Sequence, residues 1–254
     1  MTGLGAFLHK ELTEIRRTWR LWVIPGMLVF FGLTSPIIAA LTPALIRSVT
    51  ASKPGVAIQL PPPQSLDAYA QFIKNLEQFV LIAVVIAGAG VVSGERSTGT
   101  AILALTKPLS RRAFVVAKIL SQLVLLVMAT ALGTAVCLAT TAVIFDGAGG
   151  AHLVAAVAVW LVYAAILVVV MTLFSSAFGS RGAAAGAGLA FYFITLLLST
   201  WGPAAHYSFA GLWPSISRAL SGKDAALGWP VATATAAIVI GTMAAIRVFE
   251  RQEL

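Results

Sequence analysis

The chain of 254 residues is 59% hydrophobic and only 10% charged, with a formal net charge of +8. A soluble domain carries about a quarter charged residues, so this chain cannot clothe a globular surface in water, and its solvent is a bilayer. A lone cysteine, Cys137, excludes a disulfide framework and a cysteine-based metal cluster.

The first stretch, about 3–20, repeats Leu4, Leu8, Leu12, Ile15, Trp19 and Trp22 at three- and four-residue spacing, with Lys10, Glu14 and Arg17 on another face. That pattern predicts an amphipathic helix lying in the membrane surface, either as a working interfacial element or as the anchor that starts the first span. Four basic and two acidic residues precede the first apolar run, which is not the pattern of a cleavable signal peptide.

Six apolar runs follow, at about 21–46, 74–94, 119–145, 153–180, 182–205 and 225–246. Each is near the roughly 20 residues that a helix needs to cross a bilayer. The second extends outward to about Phe72, with Lys74 and Glu77 in the headgroup zone. None shows the apolar–polar alternation of a membrane β-strand. The expected fold is an all-α membrane protein, a single transmembrane domain over 1–254 with six spans.

The connections carry their own signals. The outer segment from about Arg47 to Gln71 holds Pro61, Pro62 and Pro63 and is too short to bury a core, so no extracellular domain is expected. Residues 146–152 form a tight outer turn and 179–182 a tight inner one. The fifth span opens with Gly182, Gly186 and Ala190 on one face, a small-residue stripe that lets helices approach closely in lipid. It serves packing within one bundle or contact between subunits. The outer segment 202–228 carries Trp201, Tyr207, Phe209 and Trp213 near its start, with Pro203 and Pro214 as breakers. It dips into the outer interface as an aromatic belt or as a lid over a path.

Orientation follows from the basic residues. With an even number of spans both ends share one side, and that side holds twelve of the 17 Lys and Arg residues. The positive-inside rule then places both termini and residues 95–118 in the cytoplasm of a multi-pass cell-membrane protein. The basic excess is thus a topological signal, and no nucleic-acid partner is expected.

Catalytic constellations are missing. His9, His152 and His206 lie in three separate non-membrane segments. Gly94 and Gly99 have the gap of a phosphate-binding loop, but Thr100 stands where its lysine belongs. No cofactor is expected on this chain. From Gln78 onward in the second run, and throughout the other five, the ionisable groups by which ion-coupled carriers link charge movement to conformation are also missing. Energy for any transport would come from outside the bilayer.

Between the second and third runs lies a charged cytoplasmic island, 95–118. Thr100 to Thr106 reads as a short helix stopped before Pro108, with Ile102, Leu103 and Leu105 facing a cytoplasm that offers them no burial. Ser110 reads as the cap of the helix that follows. Glu95 is expected to pair with a nearby basic residue, Arg111 or Arg112. The short helix is a docking peg for a cytosolic protein or rests on lipid.

The order Glu95-Arg96, Gly99-Thr100, Leu103, Leu105, Pro108, Arg111-Arg112 and Lys118 resembles the loop between the second and third spans of permease subunits of ABC-2-type (type-2 ATP-binding cassette) transporters. The stretches "FLHKELTEIRRTWRLW" and "LFSSAFGSRGAAAGAGLAFYF" resemble that family's N-terminal interfacial helix and its fourth-to-fifth span junction. The resemblance implies a half-transporter docked through these loop residues, a coupling helix, on a separate ATPase subunit that binds ATP and Mg. It implies a second permease copy or a paralogue to complete the pathway in membrane lipid, and export as the usual direction. A drug, peptide or lipid-like cargo is expected, because one Cys, three scattered His and five Met do not make a metal path. A sodium or metal-maturation permease of the same family, or a non-transporting assembly or sensor subunit using the same island, are the competing readings.

Overall fold

The computed structural model describes residues 3–16, 18, 20–50, 61–97, 110–146 and 149–251, and among these it contains helices, turns and no strand. Among the described residues six helices are long and apolar enough to cross a membrane: Leu21–Ser48, Ser65–Glu95, Arg111–Ile144, Ala151–Ala177, Arg181–Ser199 and Gly228–Glu250. An N-terminal helix, Leu4–Arg16, precedes them. The fold is an all-α membrane bundle.

Serines set two of the starts. Ser110 Oγ accepts the Ala113 amide at 3.2 Å ahead of the third span, and Ser180 Oγ accepts the Ala183 amide at 3.1 Å ahead of the fifth. Each satisfies one of the orphan donors at a helix start, where no carbonyl lies upstream. Both the second and third helices reach beyond their apolar runs. A helix keeps its backbone satisfied through the headgroup zone, so it continues past the residues whose hydropathy marks the hydrocarbon core.

The fourth span is the axis of the bundle. It packs against the second, third, fifth and sixth spans and against a short helix, Leu212–Leu220, and its side chains Trp160, Tyr163, Ile166, Leu167 and Met171 are almost wholly enclosed. The first span lies along the third. They meet at two glycines: a Cβ on Gly32 would come within 2.6 Å of the Gly133 carbonyl oxygen, and one on Gly133 within 2.7 Å of Leu28 Cβ. Close backbone approach of this kind drives association in lipid, where an apolar side chain gains nothing by leaving the tails. Asn75 ties the second span to the first by donating to Ser35 Oγ at 3.0 Å.

The Gly182, Gly186, Ala190 stripe does not pack within this chain, which corrects the expectation of intra-bundle packing. A Cβ added at Gly182 or Gly186 would meet nothing within 4 Å, and Ala190 is exposed. The fifth span instead turns Ala184 and Gly188 inward; a Cβ on Gly188 would collide with the Met171 sulfur. The helix phase explains this, since the two faces are offset by two residues, about 200° around a helix of 3.6 residues per turn.

Outside the spans, 202–228 folds as Gly202–Tyr207, a 3-10 turn Phe209–Gly211 and the helix Leu212–Leu220. The aromatic side chains of this segment, expected as a belt or a lid, do not all share one environment. Trp201 and Tyr207 stay exposed, whereas Trp213 is buried with its ring 5.2 Å from Tyr163 and 5.7 Å from Tyr192.

Candidate functional site

The second span is not one regular helix. A π turn occupies Leu76–Val80, the α-helix resumes over Leu81–Ala89, and a short helix Ser93–Ser97 follows a break. At the break, irregular backbone needs partners, and Ser175 of the fourth span supplies them. Its Oγ accepts the amides of Val92 and Ser93 at 3.0 and 3.1 Å and lies 2.9 Å from the Ala89 carbonyl, to which it donates. Buried, non-helical backbone is tolerated at membrane depth only when satisfied in this way. Glycines at the break make room for a cation: a Cβ on Gly90 would lie 3.2 Å from the Arg181 side chain, and one on Gly94 would lie 2.9 Å from its guanidinium. The turn between the fourth and fifth spans is thereby laid against the place where the second span enters the 95–118 loop.

The short helix delivers Glu95 to a buried ion cluster. Lys118, two turns into the third span, joins the Glu95 carboxylate and also meets Glu11 Oε2 at 2.6 Å. The Lys118 and Glu11 side chains are each 5% exposed. Three elements therefore converge on one ammonium: the N-terminal helix, the end of the second span and the start of the third. Lys118 also faces the rings of Phe114 and Phe7, at 5.5 and 5.9 Å, where the ring quadrupole favours a cation. Phe114 in turn stacks on Phe249 with centroids 4.9 Å apart and planes 3° from parallel, bringing in the end of the sixth span.

Lys10 closes the exposed side of the cluster, 2.7 Å from Glu14 and 3.2 Å from Glu11. Its partial burial works against the charge, but the hydrogen bond to Glu14 and the charges of Glu11, Glu95 and Glu14 outweigh this and hold the ammonium above the ordinary lysine range. Oxygens of Glu11, Glu14 and Glu95 lie within 4.8 Å of one another, close enough for a metal ion. Two lysine ammoniums already engage these carboxylates, so the cluster reads as an internal ion-pair network rather than a metal centre.

The expected partner of Glu95 needs correcting. Among the described residues its ion-pair partners include Lys118 and neither arginine; Lys118 comes alongside because the third span starts at Arg111 and carries it back to the level of the short helix. Arg112 pairs with the Glu250 carboxylate at 2.9 Å, and Arg111 donates to the Glu250 carbonyl at 2.8 Å. Of the other predicted loop residues, Arg96 lies in the Ser93–Ser97 helix. Its side chain and residues 98–109, which include Gly99, Thr100, Leu103, Leu105 and Pro108, lie outside the described residues.

Sequence reasoning missed Glu11 and Ser175. Glu11 left a usable signal: it stands four residues after Phe7, inside an otherwise apolar stripe, and both are buried on the N-terminal helix. Ser175 left none, since a serine that caps a break in another helix looks like any serine in a span.

Against known families, residues 6–254 match the ABC-2 family transporter protein model. The chain belongs to that family. As an ABC-2 family member it is a transport membrane subunit, the permease of an ATP-binding cassette transporter, and such subunits work in general with an ATPase partner. It is also 24% identical over 189 residues to YxlG, an uncharacterized transmembrane protein of Bacillus subtilis (strain 168), with 74% of this chain and 73% of the relative covered.

Proposed function

We propose that this permease exports a drug, peptide or lipid-like molecule, driven by a separate ATPase that docks on the 95–118 loop. The observation that carries the reading is the Lys118 junction. Both stems of the loop, Glu95 and Lys118, are fastened to each other and to Glu11, so a push on the loop reaches the N-terminal helix and two spans as one rigid unit. A connector with no mechanical role has no need to bury charges at its root, where desolvation costs several kcal/mol per ion.

Two copies, identical or paralogous, would form the pathway. The cleft between spans lined by Ile24, Val84, Gly88, Gln122, Leu126 and Thr172 holds about 10 Å³, room for roughly one water molecule, so cargo would pass between copies rather than through this cleft. The scarcity of metal-ligating side chains, with one Cys, three His and five Met in the chain, favours an apolar or amphipathic cargo over a metal ion. Both termini and the loop would face the cytoplasm of the cell membrane.

Reconstitution in liposomes tests the reading. The purified chain alone should neither hydrolyse ATP nor move cargo, and the chain with its ATPase should do both. Uptake driven by an ion gradient without an ATPase would overturn it.

A further inference from the structure

The exposed face of the sixth span changes character along its length. Ile240, Met243, Ala244 and Val248 line a shallow groove along this one helix, open to its surroundings, and Arg247 and Arg251 close its end. These residues recur at three- and four-residue spacing, so they form one stripe on one side of the helix. Apolar over two turns and then doubly cationic, the stripe has the profile of a phospholipid: acyl chain along the helix, headgroup at the arginines.

The arginines are also available. Among the described residues, neither guanidinium is engaged by a carboxylate. The one nearest in sequence, Glu250, is held by Arg112 at 2.9 Å, and Arg111 lies beside it on the Glu250 carbonyl. Among the described residues four arginines thus gather at this end of the bundle with one carboxylate, Glu250, and Arg247 and Arg251 are left exposed. Helix-end carbonyls favour cations here, but that term needs neither a groove nor a second arginine one turn on. A planar guanidinium presents paired donors that match phosphate oxygens, and two on adjacent turns can flank one phosphodiester.

We propose that this groove is a binding site for an anionic phospholipid of the leaflet on the Lys118 side of the bundle, with the phosphate held between Arg247 and Arg251 and an acyl chain lying over Ala244, Met243 and Ile240. The site requires only that the chain spans a bilayer. It does not depend on the cargo or on the ATPase.

The test uses the full-length purified chain in detergent, with native mass spectrometry of retained phosphatidylglycerol against phosphatidylcholine. The parent should retain phosphatidylglycerol preferentially. Arg247→Gln with Arg251→Gln should reduce that preference roughly tenfold or more, following the contribution of each basic residue near an anionic headgroup. Arg218→Gln, an exposed arginine at the opposite end, should not. Ala244→Trp fills the groove while keeping both arginines, and should also reduce retention. If the double arginine variant binds like the parent, the site does not exist. If only the arginine variant has an effect, the attraction is diffuse surface charge and the proposal fails. If either variant instead releases a second copy or the ATPase with phospholipid retention unchanged, the groove is a protein interface and the proposal is equally overturned.

Discussion

Lys118 Nζ lies 2.6 Å from Glu11 Oε2, with both side chains 5% exposed, although 107 residues separate them. Removing one member of a buried pair leaves the other desolvated and uncompensated, at a cost of about 3–5 kcal/mol. Lys118→Met should therefore lower the unfolding temperature in detergent substantially, because two carboxylates lose their counter-charge together. Glu11→Gln should cost less, since Glu95 still neutralises the ammonium. A double-mutant cycle on Glu11 and Lys118 reads the coupling directly, and a cycle that closes at zero would show that the pair contributes nothing.

Ser175 makes a different kind of claim on the same region. Its hydroxyl serves two amides and one carbonyl at the break in the second span. Ser175→Ala strands those groups in a buried site, where each unsatisfied group costs about 1–3 kcal/mol. Faster amide exchange at Val92 and Ser93 is expected, with the rest of the second span protected as before. Unchanged exchange at those two amides would mean that the break is satisfied by other means.

The sequence carried the architecture because a bilayer imposes long uncharged helices, and apolar runs mark them directly. It carried the loop stems because Glu95 and Lys118 are charges at the edges of such runs. What it could not carry was pairing. Glu95 has Lys118, Arg111 and Arg112 all within reach along the chain, and only the phase of the third span, which places Lys118 inward and Arg112 out toward Glu250, decides among them. The partner of the glycine stripe was hidden for the same reason. Gly182, Gly186 and Ala190 do share a face, but spacing alone does not say what that face meets.

Two sets of glycines can be told apart by experiment. Gly133→Ala drives a methyl into the Leu28 backbone, with its carbonyl oxygen 2.9 Å away, and overpacking of this kind costs about 1–3 kcal/mol. At Gly186 an added Cβ meets nothing within 4 Å, and Gly186→Leu should leave the unfolding of a single chain unaltered. If the open stripe joins two copies, Gly186→Leu should still reduce chemical crosslinking between them. Full crosslinking in that variant would remove the stripe from the subunit interface.

Topology can be read with impermeant thiol reagents on whole cells, in a Cys137→Ala background. Ser217, exposed on the Leu212–Leu220 helix, should label after replacement by cysteine, and position 97, at the root of the loop, should not. Labelling at 97 without labelling at 217 would invert the bundle and with it the placement of the termini.

The loop itself separates docking from transmission. Leu103 and Leu105 are apolar residues in a segment assigned to the cytoplasm, which suits side chains that fill a groove on an ATPase. Truncating a buried interface leucine costs a few kcal/mol. Leu103→Ala with Leu105→Ala should therefore release the ATPase in a pull-down while the permease still inserts and dimerises. Glu95→Gln acts one step later. The ATPase should stay bound, because the contact surface is intact, but the second span loses its charged link to Lys118 and so its rigid tie to the N-terminal helix. Hydrolysis should continue while the cargo moved per ATP falls. If both variants dock and pump like the parent, force does not enter the membrane through this loop, and the Lys118 junction is a structural clasp with no part in transport.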